Sequence, residues 1–165
     1  MGQGGPRGRY QAGVRSGVSP SIFRSVRSAV ARRASWRSAA IPVAFIEGSA
    51  EAVPLDDQSI DSVVTTWTLC TIPGAPDALG EMRRVLRPGG QILFVEHGLA
   101  PDASARRWQD RLTPPWKFIT GGCHLNRPIR TLIESAGFRC DRIETGYMPG
   151  PKPMAYLYEG RAGLR

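Results

Sequence analysis

The chain has 165 residues, of which 41% are hydrophobic, and it carries a formal net charge of +8. That length suits one domain with a single core, and no apolar run is long enough to cross a bilayer. Because no charged-then-apolar secretory segment opens the sequence, we expect a cytoplasmic protein without a transmembrane segment.

The positive charge is confined to one end of the sequence. Residues 1–40 are rich in arginine and contain no acidic residue, whereas all 14 acidic residues follow from Glu47 onward, where equally many basic residues balance them. This distribution predicts an Arg-rich leader over residues 1–40 and a neutral folded body over residues 41–165. The leader has no lysine and no recognisable binding module, so we expect no nucleic-acid partner. A leader that tethers nucleic acid stays open as an alternative, and it predicts strongly salt-dependent binding.

The first predicted elements are a strand over residues 12–18 and a helix over residues 20–37. Ser19 is placed to cap this helix, and Pro20 fits its first turn. A short apolar strand is predicted over residues 43–46.

A strand, a helix and a second strand are predicted in the middle of the chain. Ser62–Trp67 has the composition of a strand, and Ala75–Leu86 carries an apolar stripe at helical spacing. A tight turn at Arg87–Gly90 and a buried strand over Gln91–His97 follow, because proline ends a helix and glycine permits a reversal. Two strands joined by a crossover helix form a parallel pair, so ligands are expected at their carboxyl ends.

The remaining sequence predicts two helices and two strands. Ser104–Ile119 has a helical pattern interrupted at Thr113–Pro115, which is typical of an irregular lid. A second amphipathic helix over Arg127–Ala136 is expected to end at Gly137. The two strands that close the chain are predicted over Phe138–Tyr147 and Met154–Gly160.

The chain has three cysteines, Cys70, Cys123 and Cys140, and no CxxC pair. An odd number of widely spaced cysteines argues against a disulfide framework and against a thiolate zinc site. His124 follows Cys123 directly but has no partner at metal-ligand spacing. We therefore expect reduced thiols and no bound metal.

Four motifs follow one another along the chain, namely Glu47–Leu55, Ser59–Val64, Glu81–Leu86 and the Arg87–Gly90 turn. By the order and spacing of these motifs, residues 43–160 resemble the C-terminal two-thirds of a class I S-adenosylmethionine-dependent methyltransferase. Three others, Glu96–His97, Leu112–Trp116 and Gly122–Asn126, are similar to the branch that includes animal microsomal thiol methyltransferases and their bacterial relatives.

The resemblance implies an α/β fold with a Rossmann-like methyltransferase sheet, mostly parallel with an antiparallel C-terminal strand. It also implies S-adenosylmethionine as cofactor and a small-molecule methyl acceptor, such as a thiol, a quinone-like compound or another lipophilic metabolite. In the family, the positions matching Ser49 and Ala50 seat the adenine, and the position matching Thr66 lies beneath the methionine part. For Thr66, packing within the strand is the alternative role.

The front of the chain departs from the family pattern. Gly2 and Gly4 stand where the resemblance implies a glycine-rich cofactor loop, but no strand precedes them. Ser19 stands where the family has an acidic residue that holds the ribose, and this exchange costs on the order of 1.5–3 kcal/mol of affinity. We therefore expect the first strand of the sheet to be missing, as in a chain that lacks the N-terminal part of a longer protein.

Methyl transfer requires alignment, exclusion of water and removal of the acceptor's proton. His97 is the candidate general base, with Glu96 beside it, and a structural role in hydrogen bonding is the alternative for His97. Trp67, Trp108 and Trp116 are candidates for lining the acceptor site, with the filling of gaps in the core and the lid as their alternative role. His124 is a further candidate for binding the acceptor. The alternative to an enzyme is a non-catalytic, methyltransferase-like protein that cannot hold the cofactor.

Overall fold

The computed structural model describes residues 44–165, and Ile46–Arg165 form one structural unit. The predicted strand over residues 12–18, the predicted helix over residues 20–37 and the proposed leader lie outside the described residues. The same holds for the candidate cofactor residues Gly2, Gly4 and Ser19.

One helix joins the first two strands of the described part of the chain, two helices follow the second strand, and a hairpin of two strands closes the chain. In chain order the elements are β1 (Ile60–Thr66), α1 (Ala75–Val85), β2 (Leu86–His97), α2 (Ala103–Ile119), α3 (Ile129–Ser135), β3 (Phe138–Tyr147), a 3-10 turn (Lys152–Met154) and β4 (Tyr156–Leu164).

The four described strands form one sheet in the order β1-β2-β4-β3. β1 pairs with β2 in parallel, and β4 runs antiparallel to both β2 and β3. Three strands therefore point one way, and only the C-terminal strand is reversed among them. This arrangement confirms the predicted α/β class and the antiparallel C-terminal strand.

One face of the sheet carries the hydrophobic core. α1 presents its apolar stripe to this face, and α3 packs beside it. Gly160 of β4 lies opposite Phe94, where an added Cβ would be 2.9 Å from the Phe94 ring and 2.3 Å from the Arg142 carbonyl oxygen. The buried residues of the core are Leu69, Leu79, Met82, Leu86, Ile92, Phe94, Ile129, Ile133, Phe138 and Ala162.

The opposite face of the sheet, called the open face below, has no covering element among the described residues. Val64 of β1 is 66% exposed and Leu93 of β2 is 37% exposed. A shallow groove of about 320 Å³ runs over this face, and it also reaches Arg142 and Glu144 of β3. The groove extends to the carboxyl end of β1, because Thr66, a predicted cofactor residue, also lines it.

Three predictions that depend only on local sequence are confirmed. α1 follows the predicted stripe, β3 has the predicted bounds, and Gly137 takes a φ of +89° two residues after the end of α3. A positive φ costs glycine little, so this residue ends the helix as expected.

Three local predictions are wrong. Residues 44–46 of the predicted strand over residues 43–46 form no regular element, and residue 43 lies outside the described range. The Arg87–Gly90 turn is a bulge within β2, because Ile60 pairs with Leu86 and Ser62 with Gln91. The predicted break at Thr113–Pro115 is absent, since α2 continues through both prolines. The prolines lie on the exposed side of α2, where water can satisfy the carbonyl groups that they leave unpaired.

Candidate functional site

The carboxyl ends of β1 and β2 meet at one edge of the sheet. Thr66 ends β1 with an exposed side chain, and the Trp67 N–H donates to the Val95 carbonyl oxygen over 2.9 Å. Trp67 adopts a φ of +53°, which turns the chain out of the strand. Its indole stacks on the His97 ring, with 5.5 Å between the ring centroids and 23° between the planes. The two strand ends therefore share one aromatic surface.

Glu96 is fully buried beside this surface. Its two carboxylate oxygens accept the Thr68 N–H over 3.1 and 3.0 Å, which anchors the loop after β1 to the end of β2. Burial lowers the pKa of Arg127, and the neighbouring Cys70, Cys123 and Glu96 act in the opposite direction. The buried carboxylate thus has both a main-chain donor and a nearby cation.

The Ser49–Ala52 turn lies against the same edge. The Ala52 N–H donates to the Ser49 carbonyl oxygen over 3.2 Å, and the Ser49 hydroxyl donates to the Glu51 carboxylate over 2.5 Å. Glu51 also accepts the Gly74 N–H over 2.8 Å, which joins this turn to the residue before α1. The Ser49 hydroxyl and then the Gly74 amide lower the pKa of Glu51. Among the described residues, the Ala50 N–H has no acceptor.

Polar contacts with α1 fasten the chain after this turn. The Val53 N–H donates to Glu81 over 2.9 Å, and the Arg84 guanidinium donates to the carbonyl oxygens of Val53 and Leu55, each over 2.8 Å. Arg84 also pairs with Glu81 over 2.8 Å, and this hydrogen bond is the main cause of the lowered pKa of Glu81. Sequence reasoning placed these two residues in a family motif and missed their role as anchors.

The loop between α2 and α3 approaches the strand ends from the other side. The His124 N–H donates to the Cys70 carbonyl oxygen over 2.8 Å, and His124 Nδ1 lies 3.2 Å from the same oxygen. Burial, followed by the charge of Arg127, lowers the pKa of His124. Gly98, directly after His97, permits the approach, since an added Cβ would lie 2.4 Å from the Arg127 carbonyl oxygen. Arg127 also donates to the Leu69 carbonyl oxygen.

Cys70, His97 and Cys123 form one cluster, called the Cys-His cluster below. The two sulfurs lie 3.6 Å apart, and Cys123 Sγ lies 3.6 Å from His97 Nε2 and 3.9 Å from His97 Nδ1. Cys70 is 1% exposed and His97 3% exposed, whereas Cys123 is half-buried. The sequence does not predict this contact, because Cys70 and Cys123 are 53 residues apart and form no recognised ligand motif.

The two thiols of the Cys-His cluster have opposite pKa shifts. The hydrogen bond with Cys123, followed by burial, raises the pKa of Cys70 to about 12. The same hydrogen bond lowers the pKa of Cys123 to about 7, and the Trp116 indole acts in the same direction. Cys123 is therefore the thiol that ionises first. The buried Trp116 N–H makes no hydrogen bond of ordinary geometry among the described residues.

The structure brings most of the described candidate residues to this edge by way of four segments. Ser49 and Ala50, Thr66 and Trp67, Glu96 and His97, and His124 lie on segments joined by the hydrogen bonds given above. Trp108 is 53% exposed, and the Arg111 guanidinium lies 5.8 Å from its ring centroid. Trp108 is thus a surface residue of α2.

No described helix combines the length and the apolar character that spanning a membrane requires.

Residues 18–94 match the family described as "Methyltransferase domain". The chain is 42% identical over 98 residues to thiol S-methyltransferase TMT1B of Rattus norvegicus, an alignment that covers 59% of the chain and 39% of that protein. It is 37% identical over 70 residues to the ubiquinone/menaquinone biosynthesis C-methyltransferase UbiE of Paracoccus denitrificans, covering 42% of the chain and 28% of that protein. The chain spans about two-fifths of the length of the TMT1B relatives that it matches.

Solved structures have the same fold at low sequence identity. A SAM-dependent methyltransferase from Methanosarcina mazei superposes with a TM-score of 0.61 at 17% identity, over 88% of this chain and 78% of that one. A SAM-dependent methyltransferase from Thermotoga maritima superposes with a TM-score of 0.55 at 20% identity, over 74% of this chain and 65% of that one. Identity at this level supports the Rossmann-like methyltransferase fold alone.

Proposed function

We propose that the chain is a class I S-adenosylmethionine-dependent methyltransferase and that its sheet edge serves methyl transfer to a small-molecule acceptor. The proposed acceptor is a thiol, with a quinone-like lipophilic compound as the second class. The names of the TMT1B and UbiE relatives support these two classes.

One observation carries the proposal, namely that the segments around Ser49, Thr66 and Glu96 meet at one edge. Glu51 joins the first segment to Gly74, and Glu96 joins the third to Thr68. In open α/β sheets, ligands bind outside the carboxyl ends of the strands, which is where these segments lie.

The described part of this edge fits the cofactor. The Ala50 N–H is free among the described residues and follows the small Ser49, so a flat base can approach a main-chain donor there. Thr66 offers an exposed hydroxyl at the end of β1. S-adenosylmethionine, when bound, supplies an activated methyl group on a sulfonium. The chain's own residues have to orient the acceptor, exclude water and take up its proton.

Glu96 and His97 have different proposed roles. Glu96 is a positioning residue, because its carboxylate is fully buried and holds the Thr68 amide. His97 is the proposed proton acceptor, since its ring faces Trp67 and Cys123 at the edge. Trp67 and Trp116 are proposed to line the acceptor site, with His124 behind them. The exposure of Trp108 gives it at most an outer position.

Titration calorimetry with S-adenosylmethionine, together with a methyl-transfer assay on a small aromatic thiol, tests the proposal on the full chain. We expect saturable binding and product formation, and we expect Thr66→Arg to weaken binding at least tenfold because the new side chain crowds the edge. Ser62→Arg is the matched control, because Ser62 is exposed on the same strand away from its carboxyl end. A folded chain that neither binds the cofactor nor transfers a methyl group would overturn the proposal and favour the non-catalytic alternative.

A further inference from the structure

The Cys-His cluster has the composition and the spacing of a metal site. Two thiols and one imidazole offer three ligand atoms that all lie within 4.8 Å of one another. Thiolate and imidazole are the ligands that zinc prefers, whereas magnesium and calcium prefer oxygen. We propose that Cys70, His97 and Cys123 bind a divalent zinc ion.

Two distances within the cluster are close to those of a tetrahedral zinc site, and the third, between Cys70 Sγ and the His97 ring, is within 4.8 Å. With Zn–S bonds of about 2.3 Å and Zn–N bonds of about 2.0–2.1 Å, two sulfurs lie about 3.8 Å apart, and a sulfur and a nitrogen about 3.6 Å apart. The two sulfurs of the cluster are 3.6 Å apart, and Cys123 Sγ is 3.6 Å from His97 Nε2. The His97 ring would have to turn to aim one nitrogen at the ion, because Cys123 Sγ lies at similar distances from both ring nitrogens.

The ligands are held by three separate parts of the chain. His97 ends β2, where it pairs with Leu157 of β4. The Cys70 loop is fastened to Glu96 through Thr68, and the Cys123 loop is fastened to the Cys70 carbonyl oxygen through His124. Ligands held by hydrogen-bonded backbone need little reorganisation when a metal binds.

The charges around the cluster are compatible with a divalent cation. Two thiolates balance its charge. The Arg127 guanidinium lies close enough to act on both thiols and opposes a cation, and the buried Glu96 carboxylate, which also acts on Arg127, offsets part of that charge.

Three protein ligands leave one coordination position open. Among residues 44–165, the cluster has no fourth ligand, whether histidine, cysteine or carboxylate. His124 is adjacent in sequence, but its ring lies against the Cys70 carbonyl oxygen. An open position is typical of catalytic zinc sites, where water or substrate occupies it. The two roles of His97 are alternatives, because the lone pair that binds a metal is the one that would take a proton.

Metal analysis of the reduced, untagged full chain after equilibrium dialysis against Zn²⁺ tests the proposal. We expect one zinc ion per chain, and we expect Cys123→Ser to weaken binding at least tenfold. Cys140→Ser is the matched control, since Cys140 is also half-buried but lies in β3 outside the cluster. Titration with Co²⁺ should give thiolate-to-metal absorption that Cys70→Ser and Cys123→Ser diminish and Cys140→Ser retains.

Two further measurements keep folding separate from metal binding. Zn²⁺ should raise the melting temperature of the wild type and of Cys140→Ser, but not that of Cys123→Ser, because only a bound ion stabilises the folded state. Zn²⁺ should also protect Cys123 from alkylation and leave Cys140 reactive. The proposal fails if the reduced chain takes up no zinc, or if Cys140→Ser loses as much zinc as Cys123→Ser. Neither result depends on methyl transfer, so the proposed function is tested separately.

Discussion

The two faces of the sheet are built from alternating residues of the same strands, yet they differ in burial. Phe94 faces α1 and α3 and is 2% exposed, whereas its neighbour Leu93 is 37% exposed on the open face. Both residues are apolar, so hydrophobicity alone does not explain the difference. The side chains packed around a residue determine how much it stabilises the fold.

The same alternation separates the two candidate catalytic residues. Glu96 continues the covered side of β2 and holds the Thr68 amide. His97 lies on the same face of β2 as Leu93, which is the open face. Trp67 and Cys123 nevertheless cover the His97 ring, so that His97 is only 3% exposed. The loops at the strand ends therefore bury a residue that the open face of the sheet would leave exposed.

The largest expected effect compares the two faces directly. Phe94→Ala should lower the free energy of unfolding by about 3–5 kcal/mol, because it removes a ring from a closely packed core. Leu93→Ala should cost much less, since that side chain is already partly in water. Urea unfolding of both variants checks the difference, and equal losses would contradict it.

A smaller effect is expected where a buried carboxylate is compared with an exposed one. Glu96→Gln should lower the free energy of unfolding by about 1 kcal/mol, because a charge-assisted hydrogen bond becomes a neutral one. Glu144→Gln on the open face is the control, since its ion pair with Arg142 is exposed and should contribute little. If both variants unfold at the same urea concentration, the proposed anchoring role of Glu96 is wrong.

The smallest effect concerns the polar anchors between residues 53–55 and α1. The hydrogen bond from Arg84 holds the pKa of Glu81 below the usual value of a glutamate, so the contribution of this pair to stability is present above that usual value and is lost as the pH falls through the lowered one. Urea unfolding between pH 7 and pH 3 should show a shallower acid loss in Glu81→Gln and in Arg84→Gln than in the wild type. If both variants lose as much unfolding free energy between pH 7 and pH 3 as the wild type does, the Glu81–Arg84 pair is not the source of the acid sensitivity.

Local sequence was sufficient wherever one element or one turn decided the structure. The stripe of α1, the positive φ at Gly137 and the bounds of β3 follow from the spacing of apolar residues and from glycine. Local sequence was insufficient where the surroundings decided. An apolar run at residues 44–46 remained irregular, and Pro114 and Pro115 were accommodated on the exposed side of α2.

The fold class, the reversed C-terminal strand and the family resemblance could be predicted from the sequence, because each depends on patterns within one segment or on the order of segments. The meeting of Cys70, His97 and Cys123 in one cluster could be seen only in the folded chain. Their sulfur and nitrogen atoms meet because a parallel sheet brings successive strand ends to one edge, and two loops of different origin then close over it. Contacts between residues so far apart in the chain depend on the path of the backbone, which no local pattern encodes.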